Sequence, residues 1–338
     1  MLIGAMTGCG ADSKSSGPQT AAIEAVSPDT ARRDSSDLPI GVHPGGPTQV
    51  EMRNVDFYVD PEVVLHIHRL RGTIRSRSGG PVVFDDKRSL IIHLAHAEVG
   101  LTGKDLTALL NKYVFAYPDA PLSDLRVATA GSQVVLTGHL HKGVSLPFTI
   151  RAEVSATTDG HIRMHPVQTK IVGLGVSRLM HGLGLSLQKL IDLRKARGAS
   201  AIGNDIYLAP DSILPPPAIE GHVTAVRVEG DEVIETFDNE AKPARLDIPD
   251  SHQANFMFYR GGILRFGKLT MTDAEMQIVD LDPKDPFRFS LDRYNEQLVA
   301  GYSRTLPDLG LEVFMRDVDK LKSSRREIGG PSLRPVSR

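Results

Sequence analysis

Tryptophan is absent from this 338-residue chain, aromatic residues make up only 5% of it, and it carries a single cysteine, Cys9. One thiol builds neither an internal disulfide framework nor a multi-thiolate zinc or iron–sulfur site. So few rings argue against a base-stacking platform for single-stranded nucleic acid. Lys+Arg 39 against Asp+Glu 41, a formal net charge of -2, leaves no excess of the basic residues that nucleic-acid binders concentrate. No apolar run approaches the roughly 20 residues of a membrane-spanning helix. Catalytic signatures are missing as well. There is no G-x-S-x-G nucleophile elbow. Gly262 to Lys268 has the spacing of a phosphate loop, but Leu269 stands where a hydroxyl would hold Mg²⁺, and Ile263, Leu264 and Phe266 read as strand. Gly173-Leu-Gly175 and Gly182-Leu-Gly184 have Arg178 and Leu187 where a dinucleotide fingerprint needs its third glycine. No cofactor is expected, and no catalytic residue.

What is present is a globular chain, 41% hydrophobic, with the Gly 31 and Pro 22 of a turn-rich, strand-rich protein. From Leu146 and Phe148 through Ile150, Ala152, Val154 and Ala156 apolar residues alternate with polar ones, the period of a strand with one buried face. Further strands are expected at Val50–Val59, Val63–Ile74, Leu90–Ala97 and Gln133–His141, then a hairpin from Val223–Val228 to Val233–Phe237. After a polar connection come Phe256–Arg260, Ile263–Met271, Glu275–Leu281 and Phe287–Leu291. Two segments change to a helical period. Leu101–Phe115 has Thr102 as N-cap and places Leu106, Leu109, Leu110 and Tyr113 on one face. Val176–Arg197 carries Leu179, Met180, Leu183, Leu187, Leu190 and Ile191 at spacings of three and four. Gly182 and Gly184 interrupt it, basic residues crowd its end and Gly198 can close it.

Both ends differ from this body. Residues 10–48 are rich in Ser, Asp, Pro and Gly and nearly free of bulky apolar side chains, so they are expected to be a disordered tether. Residues 323–338 read as a disordered basic tail. The intervening 49–322 read as one β-rich domain, with a core over 49–237 and additional strands over 238–322. The opening residues 1–9, MLIGAMTGC, resemble the lipobox of a bacterial lipoprotein signal, with Met6 in place of the usual leucine and no basic stretch before it. That resemblance implies acylation of Cys9 and a membrane-anchored protein of the cell envelope or periplasm.

The histidines form the one suggestive polar pattern. His66 and His68, and His139 and His141, are two apart and would share a strand face, while His93, His96, His161 and His165 lie nearby in sequence. Such pairs could build a mononuclear zinc site in a hydrolase. No carboxylate interleaves them, and ordinary histidines on the polar face of half-exposed strands are the preferred reading.

Several short motifs then occur in a fixed order: Phe84-Asp85-Asp86, the ALLNKYVF helix, Ala120 to Leu125, Gly131 to Gly138, Leu146-Pro147-Phe148, Asp159 to Arg163, the Gly-interrupted segment, Gly203 to Ile206 and Leu214 to Gly221. This succession resembles bacterial phospholipid-binding members of the tubular lipid-binding (TULIP) superfamily over about Val50 to Phe237. The resemblance implies an α+β fold in which a long, highly curved, mostly antiparallel sheet wraps around two amphipathic helices and leaves an elongated apolar groove. It also implies non-catalytic binding or transport of a phospholipid or similar amphiphile, with the ten helix residues from Leu106 to Ile191 named above as the lipid-binding face. A structural or adaptor lipoprotein that binds another envelope protein is the alternative, and a His-dependent metallohydrolase the third.

Overall fold

The computed structural model describes residues 46–172, 187–238, 245–307 and 310–321, and among these the protein is mostly β. Cys9, the expected tether up to residue 45 and the basic tail lie outside the described residues, whereas Thr48, at the expected end of the tether, is buried and already belongs to the first strand. The framework is three long strands, β1 (Thr48–Asp60), β2 (Val63–Ser76) and β4 (Leu90–Thr102), paired antiparallel as β1–β2–β4. Each outer strand is long enough to take two partners in succession. β4 pairs with β11 (Ala218–Gly221) and then with β13 (Glu232–Asp238), which forms the expected hairpin with β12 (Val223–Glu229). β1 pairs with β14 (Phe256–Arg260) through Gln49–Arg53 and with β18 (Phe287–Ser290) through Val55–Tyr58.

The change of partner has a local cause. Asn54, between those two stretches, has φ 51, a left-handed conformation that asparagine tolerates better than most residues. Its amide donates to Asn255 Oδ1 at 2.6 Å. The irregularity also shifts the buried side chains from Val50 and Met52 to Val55, Phe57 and Val59. Beyond β14 the same sheet continues through β17 (Glu275–Asp280), β20 (Leu311–Met315) and β19 (Tyr302–Thr305).

A second sheet is an antiparallel run of six strands, in the order β5 (Leu122–Ala130), β6 (Gln133–Lys142), β7 (Val144–Ala156), β8 (Ile162–Ile171), β10 (Asp205–Leu208) and β9 (Ala199–Ile202). A small third sheet joins β3 (Val82–Val83) to the hairpin β15 (Ile263–Phe266) and β16 (Leu269–Thr272). The stretch with phosphate-loop spacing is therefore a strand and a tight turn: Gly267 has φ 60 at the turn, and Phe266 is buried against Phe84 and Tyr294.

The expected α+β arrangement of a curved sheet wrapped around two amphipathic helices is not what forms. The large sheet is open, and the helices among the described residues are short. In the first helical segment β4 runs on to Thr102, so the helix α1 spans only Gly103–Leu109 before a π-helical turn over Leu110–Val114. Thr102 is its N-cap, with a capping box closed by Asp105. Of the second segment, Leu179, Met180 and Leu183 lie outside the described residues, as does the side chain of Leu190. What is described is one turn, α2 (Leu187–Leu190), and the chain from Ile191 on is not helical. There the Asp192 carboxylate accepts from the Arg194 backbone N–H and guanidinium, a local turn that competes with helix continuation. Gly198, at φ 65, then carries the chain into β9.

Candidate functional site

α1 is tied to both sheets by polar bonds. On the large-sheet side the Asp105 carboxylate accepts from the Val64 backbone N–H at 3.0 Å and lies 3.3 Å from His66 Nε2, while His66 Nδ1 lies 2.8 Å from Asp56. Burial alone would lower the His66 pKa, but hydrogen bonds to Asp105 and Asp56 and their charge outweigh it and push it up to about 10. Burial would likewise raise Asp105, yet the bonds from His66, Thr102 and Val64 hold it below the usual carboxylate range. Tyr113 donates to Asp60 at 2.9 Å.

On the other side, Thr107 Oγ1 accepts from Val127 N–H at 2.9 Å. Asn111 accepts from Leu125 N–H at 3.1 Å and donates to Leu125 C=O at 2.8 Å. Those Leu125 groups need a partner because β5 is bulged there, with Asp124 at φ 50 and a register shift between Ser123 and Arg126. The helix thus spans the two layers at a fixed height.

The layers do not close completely against each other. A cavity of about 70 Å³ lies between them. Leu106, Leu109, Leu110 and Phe115 supply one wall, from α1 and the turn after it. Val134, Leu136, Val154, Ile162, Met164, Ile206 and Leu208 supply the sheet wall, with Leu122 and Val127 from β5. Ile191, Leu193, Ala199 and Ile213 complete that side, and Val233 and Glu235 come from β13 of the large sheet. Leu110, Phe115, Met164 and Leu208, which border it, are only half-buried. Behind it, on the inner face of the large sheet, a smaller cavity of about 20 Å³ is lined by residues including Phe57, Leu65, Val99, Leu101 and Phe237. Glu235 borders both.

Glu235 is the one polar side chain in either lining. It is 5% exposed, and no described residue hydrogen-bonds or ion-pairs with its carboxyl. Burial alone pushes its pKa up from 4.5 to about 8, so the neutral acid predominates at pH 7.

Of the residues expected to line a lipid groove, Leu106, Leu109, Leu110 and Ile191 meet at the cavity. Leu187 is buried in the apolar cluster beside it without bordering the space, and Tyr113 packs against the main core with its hydroxyl committed to Asp60. The sheet residues and Glu235 were not singled out from the sequence. A signal for Glu235 exists in hindsight: the alternation Val233, Glu235, Phe237 puts the carboxyl between two apolar residues on one strand face.

The histidines resolve differently. His66 and His68 do share a strand face, but each meets a carboxylate from another element: Asp56 and Asp105 for His66, and Glu232 at 2.8 Å for His68. His139 lies 3.2 Å from Asp124, His161 2.7 Å from Asp159 and His165 2.6 Å from Asp205. Among the described residues no cluster of His, Cys, Asp and Glu could hold a metal ion. No helix among them is long and apolar enough to cross a membrane.

No family model matches the chain, and neither a curated protein nor a solved structure matches it.

Proposed function

We propose that the protein binds an apolar or amphipathic molecule between its two sheets, as a carrier held at a bacterial envelope membrane through an acylated Cys9. The observation that carries this reading is the inter-sheet cavity: its lining is apolar save for one carboxyl, and half-buried side chains border it. Close packing is the rule in protein interiors, and an unfilled apolar space forfeits dispersion contacts along its whole lining. A hydrocarbon ligand restores them and gains about 0.8 kcal/mol per buried methylene relative to water.

The size of the space sets what enters without rearrangement. At about 70 Å³ it is smaller than the roughly 150 Å³ apolar cavity that takes up benzene. A short segment of chain fits as the walls stand. A longer tail is accommodated by displacing Leu110 and Phe115, which are half-buried and free of polar commitments in their side chains. Lipid exchange with a bilayer asks for this: an interior about as apolar as the membrane, with few specific bonds to break.

Native mass spectrometry of protein purified under mild conditions tests the reading, together with titration of a fluorescent fatty-acyl probe. Bound lipid and saturable probe binding are expected, and Leu110→Trp, which fills the cavity from its rim, should weaken the probe at least fivefold while changing the unfolding midpoint little. Bare protein that takes up no probe refutes it.

A further inference from the structure

Glu235 sits where a plain hydrocarbon site has no use for it. Its strand neighbours on the same face are Val233 and Phe237, its backbone is paired to Val226 and Val99, and both cavities it borders are otherwise apolar. A carboxyl left there without a partner costs stability, since a buried polar group that finds no hydrogen bond loses what water gave it. Water does not settle the debt well, because it needs two to four polar partners and finds one here.

We infer that Glu235 selects the ligand of this cavity: an uncharged amphiphile whose hydroxyl group enters the cavity and pairs with the carboxyl. The inference rests on the ligand-binding reading above and adds the chemistry of the ligand's inner end. A protonated carboxyl offers one O–H donor and one C=O acceptor. A hydroxyl offers the same two functions, so the pair satisfies itself with no third group. Anionic ends, phosphate or carboxylate, fit poorly, since neither cavity has a lysine or arginine in its described lining. An ammonium end would require the carboxyl to ionise, and both charges would then be desolvated in an apolar slot. A hydrocarbon end leaves the carboxyl as it is. Sites built to pair with a hydroxyl discriminate strongly against analogues that lack it, for the same reason.

The test is competition against the fluorescent probe by four ligands of one chain length, decanol, chlorodecane, decanoate and decylamine, on the full protein and on Glu235→Leu and Glu235→Gln. Decanol is expected to bind about tenfold or more tighter than chlorodecane. Leucine at 235 should erase that preference and leave chlorodecane binding intact, while glutamine, which keeps a donor and an acceptor, should retain it. Equal binding of decanol and chlorodecane, a preference that survives in Glu235→Leu, or decylamine or decanoate as the tightest ligand would each overturn the inference and leave the ligand-binding reading standing. Failure of all four ligands to displace a bound probe would overturn the inference alone, and failure of the probe to bind would remove the ligand-binding reading and this inference with it.

Discussion

Replacing Glu235 by glutamine should make the protein more stable, and by an amount that depends on pH. In the folded chain burial holds the carboxyl's pKa up at about 8, against 4.5 when it is hydrated. Between those two values the unfolded chain has released the proton and the folded chain has kept it, so stability falls as pH rises and levels off above about 8. From 4.5 to pH 7 is about 2.5 pH units, each worth about 1.4 kcal/mol, so at pH 7 the ionisable group costs the fold about 3 kcal/mol relative to a neutral one. At pH 5 the same reasoning gives under about 1 kcal/mol. Glutamine keeps the shape and does not titrate, and any fixed cost of burying its amide is the same at every pH. The gap between variant and wild type should therefore widen by about 2.5 kcal/mol from pH 5 to pH 7. Asp280, which burial pushes up to about 6, titrates in both proteins and cancels from the difference. Urea unfolding followed by circular dichroism at pH 5, 6, 7 and 8 measures the gap. Parallel stability curves for the two proteins would show that water reaches the carboxyl, and the argument for a buried, unpartnered acid would be wrong.

Removing His66 should act through the carboxylates it leaves behind. His66→Ala strips Asp105, whose side chain is 3% exposed, of its cation, at a cost of about 3 kcal/mol at pH 7. Because the folded-state pKa is raised, the wild-type contribution is complete below about 6.5 and is lost as pH rises toward 10, so the melting temperatures of the two proteins should converge at alkaline pH. Asn111→Ala leaves the Leu125 N–H and C=O without partners and should cost about 2 kcal/mol, with faster hydrogen exchange at the Leu125 amide as the local sign. Leu109→Ala should destabilise by about 2–5 kcal/mol and enlarge the cavity, so that bulkier apolar probes bind better than to wild type; unchanged probe selectivity would show that the wall collapses instead.

The sequence by itself determined the long strands of the large sheet, β6, β7, the β12–β13 hairpin and the start of the first helix. Alternation along Thr149–Ala156 and Val223–Phe237, and the Thr102 cap, are local signals: a strand's period of two and a cap's hydrogen bonds depend only on neighbours along the chain. Short strands such as β9, β10 and β19 lack the length to show a period. The apolar spacing over Val176–Arg197 said helix, but the Asp192–Arg194 turn ends the helical path beyond Leu190. Which layer faces which was decided only in three dimensions. The sheets are joined by α1 and the turn after it through Asp105, Thr107 and Asn111, polar residues whose roles no periodicity records, and His66, His68, His139 and His165 each meet a carboxylate on another element. Glu235 makes the same point most sharply: along the chain it is one more charged residue in a hairpin, and only the apolar layers packed on both sides make its carboxyl a buried acid with nothing to bond.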